Sequence, residues 1–151
     1  MVNIRRVMDC KFKYMRRIFV VLSVFAMAFG IMSCSSNDSA SMGGATPREA
    51  AEDYYINLIS GNYEAICVSS YTYVMAIDEV KKEFDKEMDS DIKQMKRFVD
   101  KIGGIKDYNV ESVEENDNKA VVKTKIFMGN GNTEVDVLDL RKYEGRWYVF
   151  Y

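Results

Sequence analysis

Histidine is absent from all 151 residues. That removes His-activated nucleophiles, imidazole proton shuttles and the commonest metal ligand. Cysteine occurs three times, at Cys10, Cys34 and Cys67, with no spacing that suits a metal site or a redox pair. There is no EF-hand loop, no phosphate-binding glycine loop and no dinucleotide-binding glycine pattern. The expectation is therefore no cofactor and no metal. Proline occurs once, at Pro47, so nothing else of that kind interrupts the helical patterns. Long apolar runs are also lacking, with one exception. Ile18 to Met32 holds 15 residues without a charge, which is short of the roughly 20 that a membrane-spanning helix needs.

That exception follows Met15-Arg16-Arg17 and ends in Ile31-Met32-Ser33-Cys34. A basic lead, a short apolar core and a small residue before the cut make a secretion signal. The tetrapeptide resembles the bacterial lipoprotein box. The resemblance implies that Cys34 Sγ receives a diacylglycerol and that cleavage falls just before it, so residues 1–33 are signal. The anchoring partner is then the membrane itself, since several acyl chains hold a protein firmly. Ser35, rather than the aspartate that often retains such proteins at the inner membrane, favours the outer one. Ser35 to Ala45, SSNDSASMGGA, reads as a flexible tether, giving a 34–45 linker and a 46–151 domain. Seventeen residues before the apolar core is a long lead, so the expected start is Met15 or Met8, readable as the mass of the uncleaved precursor.

Removing the signal takes six of 21 basic residues but one of 23 acidic ones, leaving 118 residues with a net charge of −7. A domain that acidic, with no basic run, is not expected to bind nucleic acid, because phosphate neutralisation supplies most of that affinity. Cys67 is left alone, so no disulfide within the mature chain is expected. Among Ala65, Ile66 and Val68 it reads as a small buried hydrophobe rather than a reactive thiol.

Thr46-Pro47-Arg48-Glu49 predicts a helix start, with Thr46 as cap, Pro47 at the first position and Glu49 reaching back. Ala51, Tyr55, Leu58 and Ile59 share its apolar face, and Gly61 stops it. Asn62 is expected to cap a second helix, Tyr63 to about Val68, followed by a connector from Ser69 to Tyr73. Val74, Ile77, Val80, Phe84, Met88, Ile92, Met95, Val99 and Ile102 recur every three or four residues, as one bent helix or as two divided at Asp89-Ser90-Asp91. After Gly103-Gly104 the period becomes two. Strands are expected around Tyr108 and Val110, over Ala120 to Met128, over Val135 to Leu140, and from Trp147 to Tyr151, with turns at Asn116-Asp117-Asn118, Gly129 to Asn132 and Glu144-Gly145. Val135 and Val137 share one face while Leu138 and Leu140 share the other. Either a β-bulge near Val137 or a strand buried on both faces explains the slip. Helices first, then a four-stranded antiparallel meander, define an α+β fold with the helices packed on a curved sheet.

Thr46-Pro47, the corner Leu58-Ile59-Ser60-Gly61-Asn62-Tyr63, the strand Lys119-Ala120-Val121-Val122-Lys123 and the closing Gly145-Arg146-Trp147-Tyr148-Val149 occur in this order. Together they resemble the nuclear-transport-factor-two-like cone, and more narrowly a domain of unknown function common in small bacterial lipoproteins. The resemblance implies a cone-like fold and no particular reaction. Two readings of the cone stand side by side. Tyr55, Tyr71, Tyr108 and Trp147 line a pocket for a small ligand, or the aromatics simply fill the core. Asp136 or Asp139 with Tyr55 or Tyr71 supplies the residue types of an isomerase or dehydratase. The plainer reading turns both aspartates outward as solvated strand charges. The expectation is a non-enzymatic, lipid-anchored binding domain for a small ligand or a protein partner, with homodimerisation through the open sheet face suggested by analogy.

Overall fold

The computed structural model describes residues 43–151. The signal, Cys34 and most of the tether lie outside the described residues. Four helices are followed by four strands: α1 Pro47–Ser60, α2 Tyr63–Val68, α3 Tyr71–Met75, α4 Asp78–Lys101, then β1 Ile105–Asn116, β2 Lys119–Met128, β3 Thr133–Tyr143 and β4 Arg146–Phe150. The strands form one antiparallel sheet in sequence order, the α+β architecture expected.

α1 begins as its residues dictate. Thr46 Oγ1 accepts from the Glu49 amide at 3.2 Å, and Pro47 opens the helix. The Glu49 carboxylate reaches back to the Ala45 amide at 2.9 Å. Gly61 ends it at φ 74°, and the Asn62 amide bonds to Asn57 O at 2.8 Å, the arrangement that a left-handed cap permits. Ala50, Ala51, Tyr54, Tyr55 and Leu58 are buried, whereas Ile59 points to solvent.

Two local expectations fail. Asn62 makes no side-chain bond to cap α2 and instead bonds to Asn57 Oδ1. The supposed connector after Ser69 holds a helical turn, α3, because Ser70 Oγ accepts from the Tyr73 amide. α4 is one helix: Asp89-Ser90-Asp91 run through it unbroken, with the Asp89 and Ser90 side chains turned to water rather than competing for its backbone. Its C-terminal half buries Met95 and Val99. Its N-terminal half meets α3 through Tyr73, whose Oη donates to Asp85 (3.0 Å) and whose ring pairs with Phe84 (6.1 Å). Ile77, the residue before α4, is 57% exposed.

The long helix is tied to the sheet at its end. The Gly129 amide bonds to Gly104 O at 2.7 Å, and the Asn130 amide to Ile102 O at 3.1 Å. Gly129 approaches Gly103 so closely that a Cβ there would lie 1.6 Å from its carbonyl oxygen, so only glycine fits.

The core lies between the helices and one face of the sheet. Ala120, Val122, Thr124, Ile126 and Met128 of β2 and Asp136, Leu138 and Leu140 of β3 point into it. β3 has no bulge, and its register against β2 is continuous from Thr133 to Arg141. The slip read from the sequence has another cause: Asp136 occupies the inward position that an apolar residue usually takes. The irregularities of the sheet fall in β1, between Ile105 and Asp107 and between Val110 and Ser112. The outer edge of β4 is covered where Gly44 pairs with Trp147 and Ser70 with Val149, which blunts an edge that would otherwise recruit strands. The packed domain thus includes Gly43 and Gly44, just before the helix cap.

Candidate functional site

The expected aromatic lining separates into two places. Tyr55, carried inward by α1, is fully buried and stacks on Tyr108 of β1 at 5.2 Å between centroids and 22° between planes. Trp147, 1% exposed, fills the core from β4, with the Lys142 ammonium 5.4 Å from its ring centre. Tyr71 does not join them. It stands edge-on to Phe150 at 5.8 Å, and Phe150 alternates to the opposite sheet face from Trp147 and Val149.

The two aspartates also part. Asp139 takes an outward, half-buried position, as expected. Asp136 is 7% exposed and turned inward, which corrects the reading of it as a solvated strand charge. Tyr55 Oη donates to Asp136 Oδ2 at 2.9 Å, and the Val137 amide donates to Oδ1 at 3.0 Å. A buried carboxylate is retained only with such donors. Asp136 lies directly across the ladder from Thr124.

Around this pair gather groups that the sequence did not single out as a cluster. Tyr54 meets Tyr55 edge-to-face at 5.1 Å, and Tyr151 lies 6.3 Å from Tyr54 at a tilt of 52°. The hydroxyls of Tyr54, Thr124 and Tyr151 are buried and make no hydrogen bond. Thr124 is near enough to favour the Tyr55 anion, but its hydroxyl makes no bond of ordinary geometry. An unsatisfied buried hydroxyl costs about 1–3 kcal/mol, so three in one place are an unusual concentration. Burial, and then the neighbouring Asp136, pushes the Tyr54 and Tyr55 hydroxyls well above their ordinary range, and burial does the same to Tyr151. They stay protonated, and that of Tyr55 donates to Asp136. Cys67, half-buried beside this group, is pushed up to about 11 by burial and then by Asp91, so it remains a thiol. Adjacent Tyr54 and Tyr55 on one helix face, with a polar break in the β3 pattern, were the available signals for this cluster.

The opposite sheet face is different. Val121 and Phe127 of β2 and Val135 and Val137 of β3 point away from the helices, and Val135 is 56% exposed. Lys125 lies 5.6 Å from the Phe127 ring centre, and the Arg141 guanidinium 4.8 Å from that of Phe150. Toward β4 this face is partly closed: Gly43 packs so tightly on Tyr148 that a Cβ would lie 2.6 Å from its ring. No group of three or more acidic or cysteine side chains among the described residues is placed to hold a metal.

Helices on one face of an open four-stranded meander make this an α+β domain, and its fold is similar to that of an NTF2-like solved structure. An NTF2-like protein from Campylobacter jejuni, provisionally named a transpeptidase, is 20% identical to this chain. It covers 70% of this chain and 97% of its own, with a TM-score of 0.56. The chain belongs to the family described as domain of unknown function DUF4878, which it matches over residues 40–150. A SEC-C motif protein from Rhodopseudomonas palustris is 18% identical over 71% of this chain and 77% of its own, with a TM-score of 0.49. No curated protein matches the sequence.

Proposed function

We propose that this is a lipid-anchored envelope protein, held in the outer membrane through Cys34, whose domain binds a protein partner across the outer face of its sheet and catalyses no reaction. The observation that carries this reading is the outer face itself, where Val121, Phe127, Val135 and Val137 alternate with Lys123 and Lys125, the ladder partners of Val137 and Val135, and Val135 is the most open of the four apolar groups. Exposed apolar groups with polar neighbours are one form a docking surface takes. The small-ligand reading of the aromatic lining is weaker, because Tyr55 and Trp147 are spent on filling the core. A second copy of the chain is one partner such a face accepts.

A photo-crosslinking residue placed at Val135 in the full-length protein in its own envelope tests this. One discrete adduct is expected, lost at least about tenfold on Val137→Asp, the effect of about 1.4 kcal/mol at the interface. An adduct no stronger than one from Lys86, on the solvated side of α4, overturns the reading. The mass of the adduct separates a second copy from another protein. The anchor has its own test. Cys34→Ala should move the protein from the detergent phase to the aqueous phase on phase partition, and a variant that stays in the detergent phase refutes lipid attachment at Cys34.

The alternative, an isomerase- or dehydratase-like enzyme, draws on the Tyr55–Asp136 contact. The pair is already bonded to itself, and the Val137 amide takes the second carboxylate oxygen, which favours a structural role for it. The transpeptidase name of the Campylobacter protein draws no support from Cys67, the one thiol among the described residues, which is protonated and has no histidine to activate it.

A further inference from the structure

Resting on the outer-face reading above, we infer that the partner held there is a second copy of this chain, which docks with the N-terminal half of its α4, so that copies join head to tail. Sheet meets helix in this contact, and each copy carries one of each.

The apolar stripe of α4 runs further than the core does. Met95 and Val99 belong to the core, and Ile92 and Phe98 pack against it. One, two and three turns before Ile92 the same stripe presents Met88, Phe84 and Val80, half-buried and outside that cluster. Ile77 and Met75 extend it, 57% and 46% exposed. The charge of this half is one-sided. Asp78 to Asp91 hold seven acids against three lysines. Glu83 and Glu87 stand one turn apart beside the stripe. Lys86 pairs with Glu83, and both side chains are largely exposed.

The outer sheet face has the opposite charge among similar apolar groups. The outward positions of β2 are Lys119, Val121, Lys123, Lys125 and Phe127, three bases and no acid. Glu114 of β1 pairs with Lys123 at 3.1 Å. Arg141 and Arg146 balance Asp107 and Asp139 in number at the other outward ladder positions, so the face is net basic. A basic face on a mature chain of net charge −7 selects an acidic surface. The first half of α4 is such a surface and brings an apolar stripe with it. The lengths agree: Asp78 to Asp91 extend about 21 Å as helix, and the outer row Lys119 to Phe127 about 26 Å as strand. Sheet-to-sheet contact would set the lysine rows of two copies against each other, which like-charge repulsion opposes. Helix-to-sheet contact leaves one sheet and one helix open at the ends, so the assembly grows with concentration unless it closes as a ring.

Sedimentation of the full-length protein in detergent micelles, over a concentration series, reads the self-association. Val137→Asp and Phe84→Asp should each weaken it at least about tenfold. An equimolar mixture of the two variants should give a one-to-one pair, because one copy keeps its α4 and the other keeps its sheet. Association of Phe84→Asp alone at the wild-type strength overturns the role of α4 and leaves the outer face standing. A monomeric wild-type protein whose Val135 still crosslinks to a different protein overturns the second copy and again leaves the outer face standing. No discrete adduct at Val135 removes the outer face, and this pairing with it. If Phe84→Asp does not fold, Glu83→Lys with Glu87→Lys takes its place. At least about fivefold weaker association is then expected, restored on mixing with Lys119→Glu plus Lys125→Glu. Unchanged association of that helix variant overturns the pairing.

Discussion

Trp147→Ala is expected to cost about 3–5 kcal/mol of stability, the range for truncating a wholly buried aromatic. Trp147 is the largest of the fully buried side chains, at 1% exposure. Its backbone is committed as well: its amide donates to Gly44 O at 2.8 Å, and its carbonyl accepts from the Gly44 amide at 3.0 Å. The cavity therefore opens where the edge of β4 is closed by the segment that leads into α1, and relaxation there loosens both. Single domains are stable by about 5–15 kcal/mol, so the loss is a large share of the total. Denaturant unfolding of the two proteins measures it, as a lower midpoint at unchanged slope. A loss under about 1 kcal/mol would show that Trp147 packs against something that collapses readily into its space.

Tyr55→Phe is the second large effect, and its sign depends on Asp136. Removing the hydroxyl takes one donor from a buried carboxylate while leaving the ring stack on Tyr108 in place. The expected cost is about 1–3 kcal/mol. Asp136→Leu alone strands the buried Tyr55 hydroxyl and costs a similar amount. The double variant replaces both polar groups by apolar ones and should recover most of the loss, because an apolar pair of similar shape in a dry site is close to neutral. A coupling of about 0.5–3 kcal/mol in the double-mutant cycle is the quantity to measure. Strictly additive losses would mean that each residue is held by other neighbours and that the 2.9 Å contact contributes nothing of its own.

The contrast between these two residues shows what local pattern conveys. The aromatic in Gly145-Arg146-Trp147 lies on the same parity as Val149 and, across the ladder, Leu140, and an inward tryptophan is the ordinary outcome. Asp136 lies on the same parity as Leu138 and Leu140, yet charge alone argued for solvent. Parity was the better guide, because a strand cannot turn one residue outward without a bulge, and β3 has none. The same rule sends Phe150 to the outer face, where Tyr71 follows it. Tyr71 and Tyr55 look alike in the sequence, and only the path of α3 beside β4 separates them.

Composition and local pattern by themselves determined the order of the elements apart from α3, the cap and stop of α1, the three hairpin turns, the class of fold and the absence of histidine chemistry. These follow from interactions within a few residues, such as the Thr46 hydroxyl on the Glu49 amide or the left-handed turn at Gly61. Tertiary structure alone decided that α4 is one helix, that the bulges fall in β1, that Tyr55 and Trp147 are buried while Tyr71 lies against Phe150, and that Asp136 meets Tyr55 across 81 residues of chain. Such outcomes depend on which distant surface covers each side chain. A short stretch of sequence does not carry that information, because burial is a property of the pair and not of either residue alone.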